Sequence, residues 1–191
     1  MSLIELDNNI GTNKNTTHSY LELYENLLFK KKYTSKNVLE VGGFSNNGSG
    51  LLLWHDYFTN ATIYSIEILP IEMMRQDLLN KERIVFYSRV DAYNEDFFTT
   101  NFLDKNIKFD FILEQGYRIL DTMKQFIKLY SQVMTDDGIL IIEDIPDITW
   151  IEELTASTPD HLKEFIHLYD LRPNKNRFDD IVFTIDKSNP N

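Results

Sequence analysis

The residues best suited to chemistry are acids that stand where short β-forming runs stop. Glu40 precedes a small-residue loop, Gly42-Gly43-Phe44-Ser45-Asn46-Asn47-Gly48-Ser49-Gly50. Glu67 closes the next run, Asp91 follows the third, Glu114 the fourth, and Glu143-Asp144 the fifth. A single acid at a strand end is ordinary, since Asp and Glu cap the helix that follows. An acid after every strand selects for a ligand that carries positive charge. The loop sharpens this. A dinucleotide site sets a pyrophosphate against a glycine turn and a helix N-terminus. Glu40 would repel that pyrophosphate, and Phe44 stands where a G-x-G pattern needs its second glycine. The absence of cysteine removes a thiol nucleophile and any Cys-ligated zinc. His18, His55, His161 and His167 share no metal-ligand spacing.

The elements that must position these acids follow from the hydropathy pattern. β-rich runs cover Val38–Val41, Thr62–Ile68, Arg83–Tyr87, Phe109–Leu113 and Gly138–Ile142. The first and the last two are continuously apolar, as strands buried on both faces are. Helices separate them. Apolar positions 20, 21, 24, 27 and 28 make one helical face, with Ser19 and Glu22 as a capping box. Ile119, Met123, Phe126, Ile127, Tyr130, Val133 and Met134 form a seam that ends at Asp137-Gly138, a left-handed cap. Leu51–Phe58, Met73–Leu79 and Ile148–Leu154 are weaker helices. Phe165–Leu171 and Ile181–Ile185 read as a hairpin around Pro173-Asn174-Lys175-Asn176. Strands alternating with helices predict an α/β fold, a Rossmann-like doubly wound seven-stranded sheet, mostly parallel, with a C-terminal antiparallel hairpin strand. Residues 1–191 form one domain, 1–17 being an N-terminal arm that joins the site. The polar ends, Asp7–Thr17 and Lys187–Asn191, are expected to fray.

In such sheets the ligand sits beyond the carboxyl ends of the strands. S-adenosylmethionine suits acids placed there in order: an ammonium for Glu40, ribose hydroxyls for Glu67, an adenine amine for Asp91. A carboxylate that accepts ribose hydroxyls forms a strong charge-assisted pairing. At these residues the chain resembles the class I S-adenosylmethionine-dependent methyltransferases. Within them it is similar to the macrolide-sugar O-methyltransferases (mycinamicin and macrocin types) and related viral and bacterial glycan methyltransferases. The likeness runs from Gly11 to Asp186. It is carried by Gly11-Thr12-Asn13-Lys14, His18-Ser19-Tyr20, Leu39-Glu40-Val41-Gly42, Ile63–Ile68, Asp91-Ala92, Ile141–Ile145 and Arg177–Ile181. The resemblance implies O-methylation of a sugar hydroxyl. Lys14, His18, Glu40, Gly42, Gly43, Glu67, Ile68, Asp91, Ala92 and Glu114 would bind cofactor. Magnesium or manganese would be held by Gln115, Glu143 and Asp144.

The chain departs from that branch after its fourth strand. D-D-G, one residue, then His is replaced by Glu114-Gln115-Gly116-Tyr117-Arg118. An acidic metal ligand becomes Gln115. The expected base becomes Arg118, which cannot accept a proton at ordinary pH. The proton acceptor would then be Asp144, Asp121, His18 or Tyr117, or Arg118 would clamp an anionic acceptor. Arg118, Asp144 and Tyr117 are the candidate catalytic set. Two rivals share the architecture: a cofactor-binding protein without turnover, and a nucleotide-binding oxidoreductase, which Glu40 disfavours. Trp54, Tyr57 and Phe58 read as core, and Asp179-Asp180 as a structural turn. With 30 acidic against 19 basic side chains, a net charge of -11 argues against a nucleic-acid partner. No apolar run nears the roughly 20 residues of a membrane span. The expectation is a cytoplasmic protein (host cytoplasm for a viral source) with a small-molecule or glycan acceptor and a homodimeric tendency.

Overall fold

Both faces of each central strand are apolar because helices cover both, and the sequence alternates its larger side chains between the two. The structure, a computed structural model, describes residues 1–190 apart from the side chains of Ser45 and Asn46. Asn191, the last of the polar tail, lies outside the described residues. The strands are β1 (Asn37–Val41), β2 (Thr62–Ile66), β3 (Ile84–Tyr87), β4 (Phe109–Glu114), β5 (Met134–Ile142), β6 (Ile166–Asp170) and β7 (Ile181–Asp186). They form one seven-stranded sheet in the order β3-β2-β1-β4-β5-β7-β6. β1 to β5 run parallel, and β7 is antiparallel to both β5 and β6. The winding reverses between β1 and β4, so a crevice opens there above Val41 and Glu114, which are paired in register.

Helices α1 (Leu3–Ile10), α2 (Asn13–Thr16), α3 (Leu21–Leu28) and α4 (Ser49–Tyr57) precede β2, and α5 (Gln76–Leu79) precedes β3. α6 (Glu95–Phe98), α7 (Leu120–Tyr130), α8 (Trp150–Ser157) and α9 (Arg172–Lys175) complete the set. On one face Leu3, Tyr24, Leu51, Trp54 and Phe58 pack on Val38, Phe111 and Leu113. On the other Phe98, Phe102, Met123, Phe126 and Tyr130 pack on Leu39, Phe109 and Ile112. Among the described residues no helix is long and apolar enough to cross a membrane.

Several expectations are corrected. The segment expected to fray instead folds as α1 and α2. Ser2 and Glu5 close a capping box on α1, and Gly11 ends it in the left-handed conformation, φ 75°. Ser19 does not cap α3; its hydroxyl donates to Asp180, and Tyr20 takes the cap position without a side-chain bond. α7 stops at Tyr130, short of the expected seam. Gly138 is not its cap but lies within β5. There the pairing shifts between Phe109 and Phe111, and a Cβ on Gly138 would stand 3.1 Å from the Phe109 carbonyl. At this irregularity, where the extra residues lie in β5, Phe109 and Phe111 pack in opposite layers. The expected helix at 73–79 is a turn at Ile71–Met73 and the short α5. The hairpin is present, with α9 inside its connection.

Candidate active site

The site begins at Gly42, where β1 turns into the loop that feeds α4. Gly42 holds φ at 82°, and a Cβ there would lie 2.7 Å from the Gln115 carbonyl. The loops after β1 and β4 therefore touch, which only glycine allows. They are stitched by Gln115 N–H donating to the Val41 carbonyl at 3.1 Å, and Gly42 N–H ties the first of them to the end of β2 by donating to the Ile66 carbonyl at 3.1 Å. Between these loops and those after β2 and β3 lies a cavity of about 370 Å³. Its walls are Val41, Gly42, Phe44, Ile66, Glu67, Ile68, Leu69, Val90, Asp91, Ala92, Tyr93, Gln115, Gly116 and Tyr117. Glu67 accepts the Phe44 N–H at 2.7 Å, which aligns its carboxyl. Burial pushes that carboxyl above the usual range, against the lowering effect of this bond. Tyr93 is held by its hydroxyl, which donates to Glu114 at 2.6 Å. Burial raises the Glu114 carboxyl to about 7.

Beneath the cavity is a buried group of opposite charges. The Lys14 ammonium, brought by α2, donates to Glu143 Oε1 at 2.7 Å and Gln115 Oε1 at 2.9 Å, and stands 3.9 Å from Glu40 Oε1. Gln115 in turn donates to Glu40 at 2.5 Å. Burial would lower the Lys14 pKa, but Glu143 and then Glu40 outweigh it and hold it above its ordinary value. Burial lifts Glu40 to about 7 despite Lys14. Glu143 also sits above the ordinary range: burial drives it up, the Lys14 charge opposes, and Asp144 adds to the rise. Tyr24, one helical turn after Tyr20, donates to Glu143 Oε2 at 2.5 Å.

A second group lies beside it. Asp144 adopts φ 59°, a left-handed backbone, two residues past the end of β5. Its Oδ1 accepts from the Tyr20 hydroxyl at 2.6 Å, and its Oδ2 from Arg118 Nη2 at 2.6 Å. Arg118 Nη1 reaches Asp179 Oδ2 at 2.6 Å, and Arg177 shares that oxygen at 2.9 Å. His18 Nδ1 stands 2.6 Å from Asp180 Oδ1, and its ring stacks on Tyr20. Desolvation would lower the Arg118 pKa, yet Asp144 and Asp179 keep it above its ordinary value.

Of the sequence-predicted cofactor residues, Gly42, Glu67, Ile68, Asp91 and Ala92 line the cavity. Glu40, Lys14 and Glu114 are buried beneath it, and Gly43 packs over Glu40, whose Oε2 would stand 3.0 Å from a Cβ there. His18 belongs to the second group, away from the cavity. Tyr117 stands at the mouth, half exposed, with Arg118 beside it. Asp121, one candidate base, projects into solvent from α7 and touches neither group. Sequence reasoning missed Tyr20, Tyr24, Tyr93 and Arg177, and gave Asp179-Asp180 a structural role alone. The i, i+4 spacing of Tyr20 and Tyr24 was the signal for two hydroxyls on one helical face.

The residues expected to ligate a divalent ion do not fit one. Gln115 and Glu143 both turn to Lys14, while Asp144 turns to Tyr20 and Arg118. Among the described residues, His18, Asp179 and Asp180 form a group of metal-ligand atoms within 4.8 Å of one another. Within it His18 meets Asp180, which also takes the Ser19 hydroxyl, while Arg118 and Arg177 share Asp179 Oδ2; Asp179 Oδ1 is buried with no hydrogen-bond partner.

Solved structures share this fold. The chain is similar to the MycE methyltransferase of the mycinamycin biosynthetic pathway, solved with Mg, SAH and mycinamycin VI, over 97% of its own length at 18% identity and TM-score 0.74. The chain has the methyltransferase fold. It covers 53% of that structure, so it spans about half the length of the solved protein it matches. A putative SAM-dependent methyltransferase from Streptococcus mutans matches 87% of this chain and 48% of its own, at 12% identity and TM-score 0.64. Human methyltransferase-like protein 13, solved with SAH, matches 79% of this chain and 71% of its own, at 15% identity and TM-score 0.59. No family model matches the sequence, and no curated protein does.

Proposed function

We propose that the chain is an S-adenosylmethionine-dependent O-methyltransferase whose acceptor is a carbohydrate hydroxyl, with residues 1–191 acting as one domain and the N-terminal arm as part of its site. The observation that carries this reading is the cavity over the carboxyl ends of β1 to β4. Apolar walls from Ile66, Ile68, Ala92 and Tyr93 enclose it, and the carboxylates of Glu67 and Asp91 stand at its edge. Its volume falls in the range of small-molecule sites. Glu67 would accept the ribose hydroxyls, Asp91 and Ala92 would meet the adenine edge, and Ile68 would cover the ring. Gly42 and Gly43 let the methionyl end approach the backbone. Glu40, Lys14 and Glu114 support the floor. When bound, the donor supplies an electrophilic methyl group on a sulfonium.

Asp144 is the group best placed to take the acceptor proton, on the carboxylate that Tyr20 and Arg118 orient. Tyr117 and Arg118 form the mouth through which a glycan or small-molecule acceptor enters. The carbohydrate class is supported by the resemblance at Ile141–Ile145 and Arg177–Ile181 and by a structural neighbour solved with mycinamycin VI. A homodimer belongs to this proposal as its expected assembly, which sedimentation measures.

Calorimetry with S-adenosylmethionine, followed by transfer of a labelled methyl group to sugar acceptors, tests the proposal. One-to-one binding with transfer to a hydroxyl is the expected result. Donor binding without transfer to any acceptor would favour the non-catalytic rival. Displacement of the donor by NAD would favour the oxidoreductase.

A further inference from the structure

Five acids converge beneath and beside the cavity: Glu40, Glu143, Asp144, Asp179 and Asp180, each no more than 7% exposed. Negative charge packed this densely is costly away from water unless positive charge lies among it. A divalent ion needs several oxygen ligands with free lone pairs facing one point. Here the oxygens of Glu143 and Asp144 face donors of the chain itself. Lys14 and Tyr24 take one acid, and Arg118 and Tyr20 take the other. An ion held by Gln115 and Glu143 would also stand against the Lys14 ammonium, which already bonds to both.

We propose that Lys14 and Arg118 are the resident cations of this site, so that it neither holds nor needs a divalent metal. The proposal rests on the methyltransferase reading for its catalytic half alone; the metal-binding half stands independently. The two cations divide the work. Lys14, 1% exposed, neutralises the floor, where its charge holds Glu143 and Glu40 together. Arg118, with 44% of its side chain exposed, spans Asp144 and Asp179 with the two ends of its planar fork and still faces the mouth. A guanidinium stays charged and gives directed hydrogen bonds, so it can balance charge beside an acceptor oxygen without coordinating it. The substitution of His by Arg and of Asp by Gln then reads as one exchange: an imidazole and an acid are lost together as a fixed cation is gained.

The test begins with the purified, chelator-treated chain and no methyl donor. Titration with Mn²⁺, followed by electron paramagnetic resonance, is expected to show no stoichiometric site, and Mg²⁺ is expected to leave the melting temperature unchanged. Arg118→Ala releases an oxygen of Asp144 and reduces the donors on Asp179, and should bind Mn²⁺ roughly tenfold or more tightly than the wild type. One tightly bound Mn²⁺ on the wild-type chain, whether at Glu143 or at His18, Asp179 and Asp180, would overturn the proposal. So would Arg118→Ala, folded by its circular dichroism, binding the ion no better than the parent. Where transfer is measurable, chelator should leave its rate intact. Transfer abolished by chelator and restored by Mn²⁺ would sink the resident-cation reading while leaving the methyltransferase reading in place. Loss of donor binding alone would do the reverse.

Discussion

Glu67 tests the cofactor assignment at the residue scale. Its carboxyl is oriented by the Phe44 N–H and stands at the cavity wall. Replacing it by alanine removes a charged hydrogen-bond acceptor, so Glu67→Ala should weaken S-adenosylmethionine binding by about 1.5–3 kcal/mol. Calorimetry reads that directly, and unchanged affinity would place the ribose elsewhere. The acids themselves were legible in the sequence because each follows a β-rich run. Their counter-charges were not. Lys14 meets Glu143 across 129 positions and Gln115 across 101, and no local pattern encodes such a pairing. Arg118 was legible as a departure from a family motif, but its fork across Asp144 and Asp179 was not. His18 was singled out as a cofactor or acceptor contact and a candidate base; its stacking on Tyr20 and the approach of its Nδ1 to Asp180 had no signal in the sequence.

At the scale of elements, the β1 loop is the most constrained segment. Gly42 combines a positive φ with a backbone carbonyl 2.7 Å from any added Cβ. Gly42→Ala should therefore destabilise the fold by roughly 2–4 kcal/mol, through strain and displacement of the β4 loop. Chemical denaturation measures the loss, and donor affinity should fall with it. The strands were readable because their apolar runs are short and bounded. α1 was not, because Asp7, Asn8 and Asn9 mask a helix that buries only Leu3, Leu6 and Asp7. Its Ser2–Glu5 capping box was the available signal, and Ser2→Ala should lower stability by about 1 kcal/mol. The β5 bulge was invisible for another reason. Asp136-Asp137-Gly138 has the composition of a turn between elements, and only the pairing with β4 shows that the strand continues through it.

For the whole molecule, the buried acids set the pH dependence of stability. Glu40 and Glu114 are both raised to about 7 by burial, from an ordinary 4.5. The folded chain thus binds more protons than the unfolded chain between those values, and stability must fall as pH rises through that window. The melting temperature should drop by several degrees between about pH 5 and pH 7.5, since each kcal/mol moves a domain of this size by roughly 2–4 °C. Glu114→Gln should flatten that slope in a thermal scan. The net charge of -11 adds self-repulsion that moderate salt screens. A separate consequence follows from the bond between His18 and Asp180, which lie 162 positions apart. The acidic end of the sheet therefore closes only when the segment before β1 meets the segment that leads into β7. Closing so long a loop is slow compared with pairing neighbours. The five parallel strands can pair before that contact forms, so the acid cluster around His18 and Asp180 should be the last part of the sheet's end to set on refolding.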